Sequence, residues 1–319
     1  MFFVIWGHCF PNIKGRVRKW IYSFHMPIFF FISGLTYKER DIEPRDFVKK
    51  KFKDLIVPYI LFNIISYIVL IIFYKKGIIE DFDYLENIIG AFYSQNEALR
   101  MPCGPSWFLT TLFLVEVGFY YLKRITKDDF QLTISVIICG LISYVNSISH
   151  YQVYSPWHLE SAFTGIVFYH MGYMLSKNMY RLDNFMEHKF KAFFTGGLLG
   201  LIGAIITVYN RRVSLNSNDY GSIILFYISC ICTILGLIIF VRLFMKKSVV
   251  FKNVGTRTMF YIGYHRLLLF VLAYYFPIAL KGNRNIFLLA LYIMVVMFPF
   301  AYVADKFFPL LCGKIKKKM

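Results

Sequence analysis

The chain has 319 residues, of which 58% are hydrophobic, 20% aromatic and only 17% charged, with a formal net charge of +18 and a mean hydropathy of +0.54. A soluble globular domain carries about 25% Asp, Glu, Lys and Arg, so this composition excludes one. The apolar residues fall in blocks of about 20, the length a helix needs to cross about 30 Å of hydrocarbon. We therefore expect an all-α, polytopic transmembrane helix bundle. The connections leave no room for a folded soluble domain, and residues 1–319 read as one integral membrane domain.

In chain order, spans are expected near 1–10, 20–37, 54–74, 106–122, 131–149, 157–175, 192–209, 221–241, 258–280 and 286–308. The first is short. As a helix, Met1 to Phe10 rises about 15 Å, half of a crossing. It also lacks the charged start and small-residue cleavage site of a signal peptide. Either this is a half-span packed by its neighbours, or a truncated span whose beginning lies upstream of Met1; the second is our reading.

Alternate connections then sort by side. Residues 38–53, 123–130, 176–191, 242–257 and 313–319 hold 23 Lys and Arg, against 11 in 11–19, 75–105, 210–220 and 281–285. The positive-inside rule makes the first set cytoplasmic, including the C-terminus of a multi-pass cell-membrane protein. The excess charge is thereby a topology signal, and nucleic acid drops out as a partner in favour of membrane lipid. One segment runs against the rule: Lys14, Arg16, Arg18 and Lys19 crowd a short connection assigned to the outside.

The six cysteines, Cys9, Cys103, Cys139, Cys230, Cys232 and Cys312, are scattered in or beside spans. Their spacing matches no zinc or thioredoxin motif, so we expect apolar packing and no metal site. An ionisable side chain in hydrocarbon is costly and marks a functional candidate unless a structural partner exists. The spans offer His8, His25, Glu116, His158, Glu160, His170, His265, Arg266 and Asp305. His158 at a boundary, Asp305 near a span end, His170 at a helix interface and Glu116 as an interhelical partner all have structural readings.

His8 stands in Ile5-Trp6-Gly7-His8-Cys9, where Gly7 leaves room beside the imidazole. An uncharged buried ring can accept a proton from a hydroxyl. The second span reads Ser23-Phe24-His25-Met26-Pro27-Ile28-Phe29-Phe30-Phe31-Ile32-Ser33-Gly34. Pro27 has no backbone donor and frees a carbonyl near Ser23, which could orient His25. Ser33-Gly34 allows close helix contact.

These residues carry a family likeness. Gly7-His8 and Phe24-His25-Met26-Pro27 through Ser33-Gly34 resemble the opening signature of acyltransferase family 3, in its fucose 4-O-acetylase-like branch. The likeness continues at Lys49-Lys50-Lys51-Phe52-Lys53 to Pro58-Tyr59, Pro105-Ser106-Trp107-Phe108-Leu109, Phe168-Tyr169-His170-Met171-Gly172-Tyr173 and Val254-Gly255-Thr256-Arg257-Thr258 leading to His265. It implies transfer of an acyl group, usually acetyl, from acyl-coenzyme A to a hydroxyl of a carbohydrate or lipid-linked glycan in the cell envelope. No bound cofactor is implied, acetyl-coenzyme A being a donor substrate.

The resemblance also implies that His8 is catalytic. The family carries an arginine before this histidine at a position that would precede Met1. Coenzyme A is a cytoplasmic polyanion, so Lys49, Lys50, Lys51 and Lys53 suit its phosphates. Trp107 and Glu160 suit a sugar acceptor, Glu160 also as a supporting group, and His25 or His265 is a candidate donor to the oxyanion. Two other classes fit the composition. A transporter for polysaccharide or small solutes would also use buried histidines and carboxylates, but no two-fold repeat of broken helices is visible. The other is a non-catalytic partner in glycan assembly.

Overall fold

Apolar side chains recur along the long helices on faces that find no partner within the chain. On the helix spanning 57–75, Ile60, Ile64, Ile68 and Ile72 follow one another every fourth residue and are all exposed. The polar residues Asn63 and Ser66 of the same helix are buried. This arrangement, apolar outside and polar inside, suits a surface solvated by lipid.

The computed structural model describes residues 1–10, 15–39, 41–95, 99–149, 154–245, 248–276 and 283–314. Among them the helices are α1 (Phe2–Cys9), α2 (Arg16–Phe24), α3 (Pro27–Leu35), α4 (Pro44–Lys51), α5 (Val57–Lys75), α6 (Tyr84–Tyr93), α7 (Trp107–Ile125), α8 (Asp129–Ile148), α9 (Leu159–Lys177), α10 (Met179–Glu187), α11 (Lys189–Tyr209), α12 (Ile223–Phe244), α13 (Val249–Gly255), α14 (Thr258–Tyr275) and α15 (Asn283–Phe307). The described residues contain no β-strand, only one isolated bridge between Ser214 and Asp219. Among the described residues, five stretches are long and apolar enough to cross a membrane: 44–75, 129–148, 189–209, 223–244 and 284–307.

The other expected spans are helical in a different way. The segment at 20–37 is broken into α2 and α3 at His25 and Met26, and Pro27 opens α3, where its missing N–H is of no consequence. The α7, α9 and α14 helices are of crossing length but carry Glu116, Glu160 and the His265-Arg266 pair. Residues 277–280 of the expected 258–280 span lie outside the described residues, as do Lys14, Arg40, Lys246, Lys247, Lys281, Lys316, Lys317 and Lys318 of the basic sets. Four helices, α4, α6, α10 and α13, form in stretches read as connections. Asp83 caps α6 by accepting from the Glu86 N–H at 2.8 Å, and Asp128 caps α8 through Gln131 at the same distance.

Between α4 and α5, residues 52–56 form a π turn in which Val57 N–H reaches back to Phe52 O. Pro58 follows at once, and the extra residue accommodates its missing donor without ending the helix. The α3 and α9 helices touch backbone to backbone: a Cβ at Gly34 would overlap the Tyr169 carbonyl, and one at Gly172 would overlap that of Phe31. This is the close contact expected at Ser33-Gly34.

Two buried clusters result. One surrounds α3, α7 and α9, with Phe30, Leu109, Phe119 and Tyr169 at its centre. The other joins α1, α14 and α15 through Ile5, Tyr261, Ala290 and Ile293. The connections also gather by set. At the lysine-rich end, Lys123 lies 3.4 Å from Glu39, Tyr120 donates to Ile42 O at 2.7 Å, and Arg242 pairs with Asp183. Asp305 there takes Arg257 at 3.0 Å and Lys314 at 2.6 Å. At the opposite end Lys19 donates to Asn210 O at 3.0 Å and Trp157 to Phe92 O at 3.1 Å.

Candidate active site

His8 lies in the last turn of α1 and faces a cavity of about 300 Å³ between the two clusters. Gly7 does not open the approach to the ring. A Cβ there would stand 3.1 Å from Ile21 and 3.3 Å from Tyr22, so its role is to let α1 lie close on α2.

His25 enters the same cavity from the break between α2 and α3. Its Nδ1 is 2.9 Å from Ile21 O, so the orienting carbonyl is one turn back rather than the one near Ser23. His265 is fully buried on α14, its Nδ1 2.7 Å from Tyr261 O. Its ring centroid is 5.1 Å from that of His8. On the other side of His8, Tyr22 lies at 6.4 Å and in turn packs on His25 at 4.7 Å.

These backbone bonds decide the chemistry of two rings. A nitrogen facing a carbonyl must carry the proton, so neutral His25 and His265 are Nδ1–H tautomers whose Nε2 can only accept. His265 Nε2 is buried without a hydrogen-bond partner. As neutral rings, neither can donate to an oxyanion through Nε2, the role the sequence suggested for them.

The charged donors on the cavity wall are instead Arg18, Arg212 and Arg266. Arg18 and Arg212 bring their guanidinium carbons to 5.0 and 5.2 Å from the centroid of Tyr22. Arg266 was visible in the sequence as an ionisable residue within a span. Arg18 was visible as part of the basic crowding that defied the positive-inside rule, whereas nothing in the local sequence sets Arg212 apart from Arg211.

Trp107 lines this cavity and packs edge-on against His158 at 4.9 Å. Glu160 is not among the lining residues. It is buried near His158, 3.6 Å away, and accepts from Ser155 N–H at 3.1 Å, so it ties the start of α9 together. His170 is likewise engaged, its Nε2 3.0 Å from Thr133 Oγ1 across the α8–α9 interface.

The basic cluster divides. Lys50 and Lys51 line a cavity of about 220 Å³ at the other end of α3, together with Lys38, Ser33 and Thr36, while exposed Lys49 and Lys53 are not part of its wall. Lys51 Nζ is 2.8 Å from Glu116 Oε2, so one lysine charge is already balanced by the carboxylate of α7.

No curated protein and no solved structure matches the chain. A family model described as an acyltransferase domain matches residues 1–305, nearly the whole chain. With its apolar helices, the chain is thus a membrane acyltransferase and belongs to acyltransferase family 3.

Proposed function

We propose that the protein transfers an acetyl or other short acyl group from acyl-coenzyme A to a hydroxyl of a cell-envelope or exopolysaccharide sugar. In this reading it acts as a single integral domain with ten spans in the cell membrane and a cytoplasmic C-terminus. The observation that carries the reading is His8 on the wall of a cavity that also presents His25 and three arginines, with the His265 ring packed behind His8 at 5.1 Å.

In the proposed reaction the acceptor hydroxyl gives its proton to a ring nitrogen of His8 as its oxygen attacks the thioester carbonyl carbon. The carbonyl oxygen becomes an oxyanion, and guanidinium N–H groups on the cavity wall are the donors able to stabilise it. Collapse breaks the carbon–sulfur bond, the thiolate of coenzyme A leaves, and the imidazolium of His8 returns the proton to sulfur. His265 acts as a positioning residue: its tautomer is fixed by Tyr261 O at 2.7 Å, and it packs against His8.

The lysine-lined cavity at the far end of α3 suits the phosphates of the donor. Phe29 borders one cavity and Ser33 the other, a separation of about 6 Å along the helix axis. A thioester carried past one turn of α3 would therefore meet a hydroxyl bound on the other side. Trp107 offers an aromatic face to a sugar there.

Replacing His8 by Ala tests the reading. The variant should reach the membrane in normal amount and leave the glycan of a complemented deletion strain without acyl groups, measured as ester released by mild base. Unchanged ester content would remove His8 from the chemistry.

A further inference from the structure

The charge on the wall of the His8 cavity is not balanced. Arg18, Arg212 and Arg266 come from α2, from the connection between α11 and α12, and from α14, and all three line one space of about 300 Å³. No Asp or Glu is among the residues lining it. Among the described residues, none of the three has a carboxylate oxygen within 4.0 Å. Some arginines elsewhere do find a carboxylate: Arg100 pairs with Asp81, Arg242 with Asp183 and Arg257 with Asp305. The contrast is sharpest between neighbours. Arg211 binds Asp219 at 3.1 Å, while Arg212 turns to Tyr22 and the cavity.

The Arg18 Nε is buried and has no hydrogen-bond partner. A guanidinium donor held from water without an acceptor is costly. Three guanidinium groups around one small space also repel one another. An anion placed among them relieves both penalties, and the planar fork of each group matches the oxygens of a phosphate. Neutral His25 presents an acceptor nitrogen on the same wall, which suits a hydroxyl donor but not an anion. The cavity thus has one place for a negative group and another for an O–H beside His8.

We propose that the acceptor is a phosphate-bearing glycan, joined through a phosphodiester or pyrophosphate link, and that Arg18, Arg212 and Arg266 hold that link so that a sugar hydroxyl lies at His8. The proposal rests on the reading of this cavity as the acyl-transfer site. A volume of about 300 Å³ is at the lower end of small-molecule pockets, so one sugar and its phosphate fill it. The rest of the acceptor has a path, because Arg266, Gly104 and Pro105 also border a second cavity of about 380 Å³.

Coenzyme A carries the same chemistry, so the test must separate the two sources. The full-length protein in phosphatidylcholine nanodiscs is titrated with radiolabelled inorganic pyrophosphate and, separately, with coenzyme A. Saturable pyrophosphate binding is expected, weakened about tenfold by Arg18→Gln or Arg212→Gln, the loss of one charge-assisted hydrogen bond. Lys50→Gln should spare pyrophosphate and weaken coenzyme A, and coenzyme A binding by Arg212→Gln should match the wild type, which also shows that the variant is folded. Absence of saturable pyrophosphate binding, or equal weakening of both ligands by the arginine changes, would overturn the proposal; the second result would assign the anion to the donor. Binding does not depend on turnover, so an unaffected His8→Ala enzyme would refute the transfer mechanism and leave this result standing.

Discussion

Glu39 stands between α3 and α4, where Tyr173 donates its hydroxyl to Oε1 at 2.5 Å and Lys123 Nζ lies 3.4 Å away. The Tyr173 hydrogen bond, assisted by Lys123, holds its carboxyl below the ordinary glutamate value of 4.5. A lowered folded-state value means that its stabilising effect is present above the unfolded value and fades as pH falls through the folded one. In detergent, the melting difference between wild type and Glu39→Gln should hold steady from neutral pH to about 5 and shrink below about 4. A gap that persists in acid would remove this carboxylate from the clasp. Such pairings were not legible in sequence. Glu116 and Lys51 each drew notice alone, as a buried carboxyl and a phosphate ligand, but their 2.8 Å contact joins α7 to α4. A pair separated by so much chain leaves no local pattern. Arg18 is a different case: the sequence marked it only as an exception to the charge rule, and the fold places it on the wall of the His8 cavity.

Helix α3 connects the two cavities, and its position is set by glycine on both sides of one contact. Gly34 of α3 meets the Tyr169 backbone, and Gly172 of α9 meets that of Phe31. Because each missing side chain faces a carbonyl rather than a movable side-chain tip, neither site can absorb a methyl group without shifting a helix. Gly34→Ala and Gly172→Ala should each lose at least the 1–3 kcal/mol typical of overpacking, about that range or more, and should lower the melting temperature and transferase activity together. Gly197→Ala is the control: nothing lies within 4 Å of a Cβ there, and alanine is the better helix former by about 1 kcal/mol. Equal effects at all three positions would show that the α3–α9 contact is not what holds the cavities in register. The sequence revealed one half of this contact, since Ser33-Gly34 marks a close approach, but not the partner. The break at His25-Met26 was legible as a proline effect, and only the packed structure shows that Ile21 O, rather than the carbonyl Pro27 leaves free, fixes the histidine.

Across the whole molecule, alternate connections assigned to one side by charge are also the ones that touch. Glu39, Lys123 and Tyr173 meet at one end, as do Asp183 and Arg242. Lys19 meets Asn210 at the other. The long apolar helices were readable because hydropathy is local along the chain, whereas the side each connection faces rests on charge alone. The short helices α6 and α10 were not readable, since their polar residues break the long apolar pattern. If the two ends face opposite sides of a bilayer, exposed positions must respond oppositely to a reagent that cannot cross it. Five of the six native cysteines are buried and Cys232 is partly so, which keeps background labelling low. In intact cells, a membrane-impermeant maleimide should label Arg16→Cys and Arg211→Cys but reach Lys49→Cys and Lys252→Cys only after permeabilisation. Labelling of all four from outside would break the ten-span arrangement, and labelling of only the lysine-rich pair would invert it. Inversion would also place the arginine-lined cavity on the coenzyme A side, so the same four variants test whether the acceptor meets His8 from outside the cell.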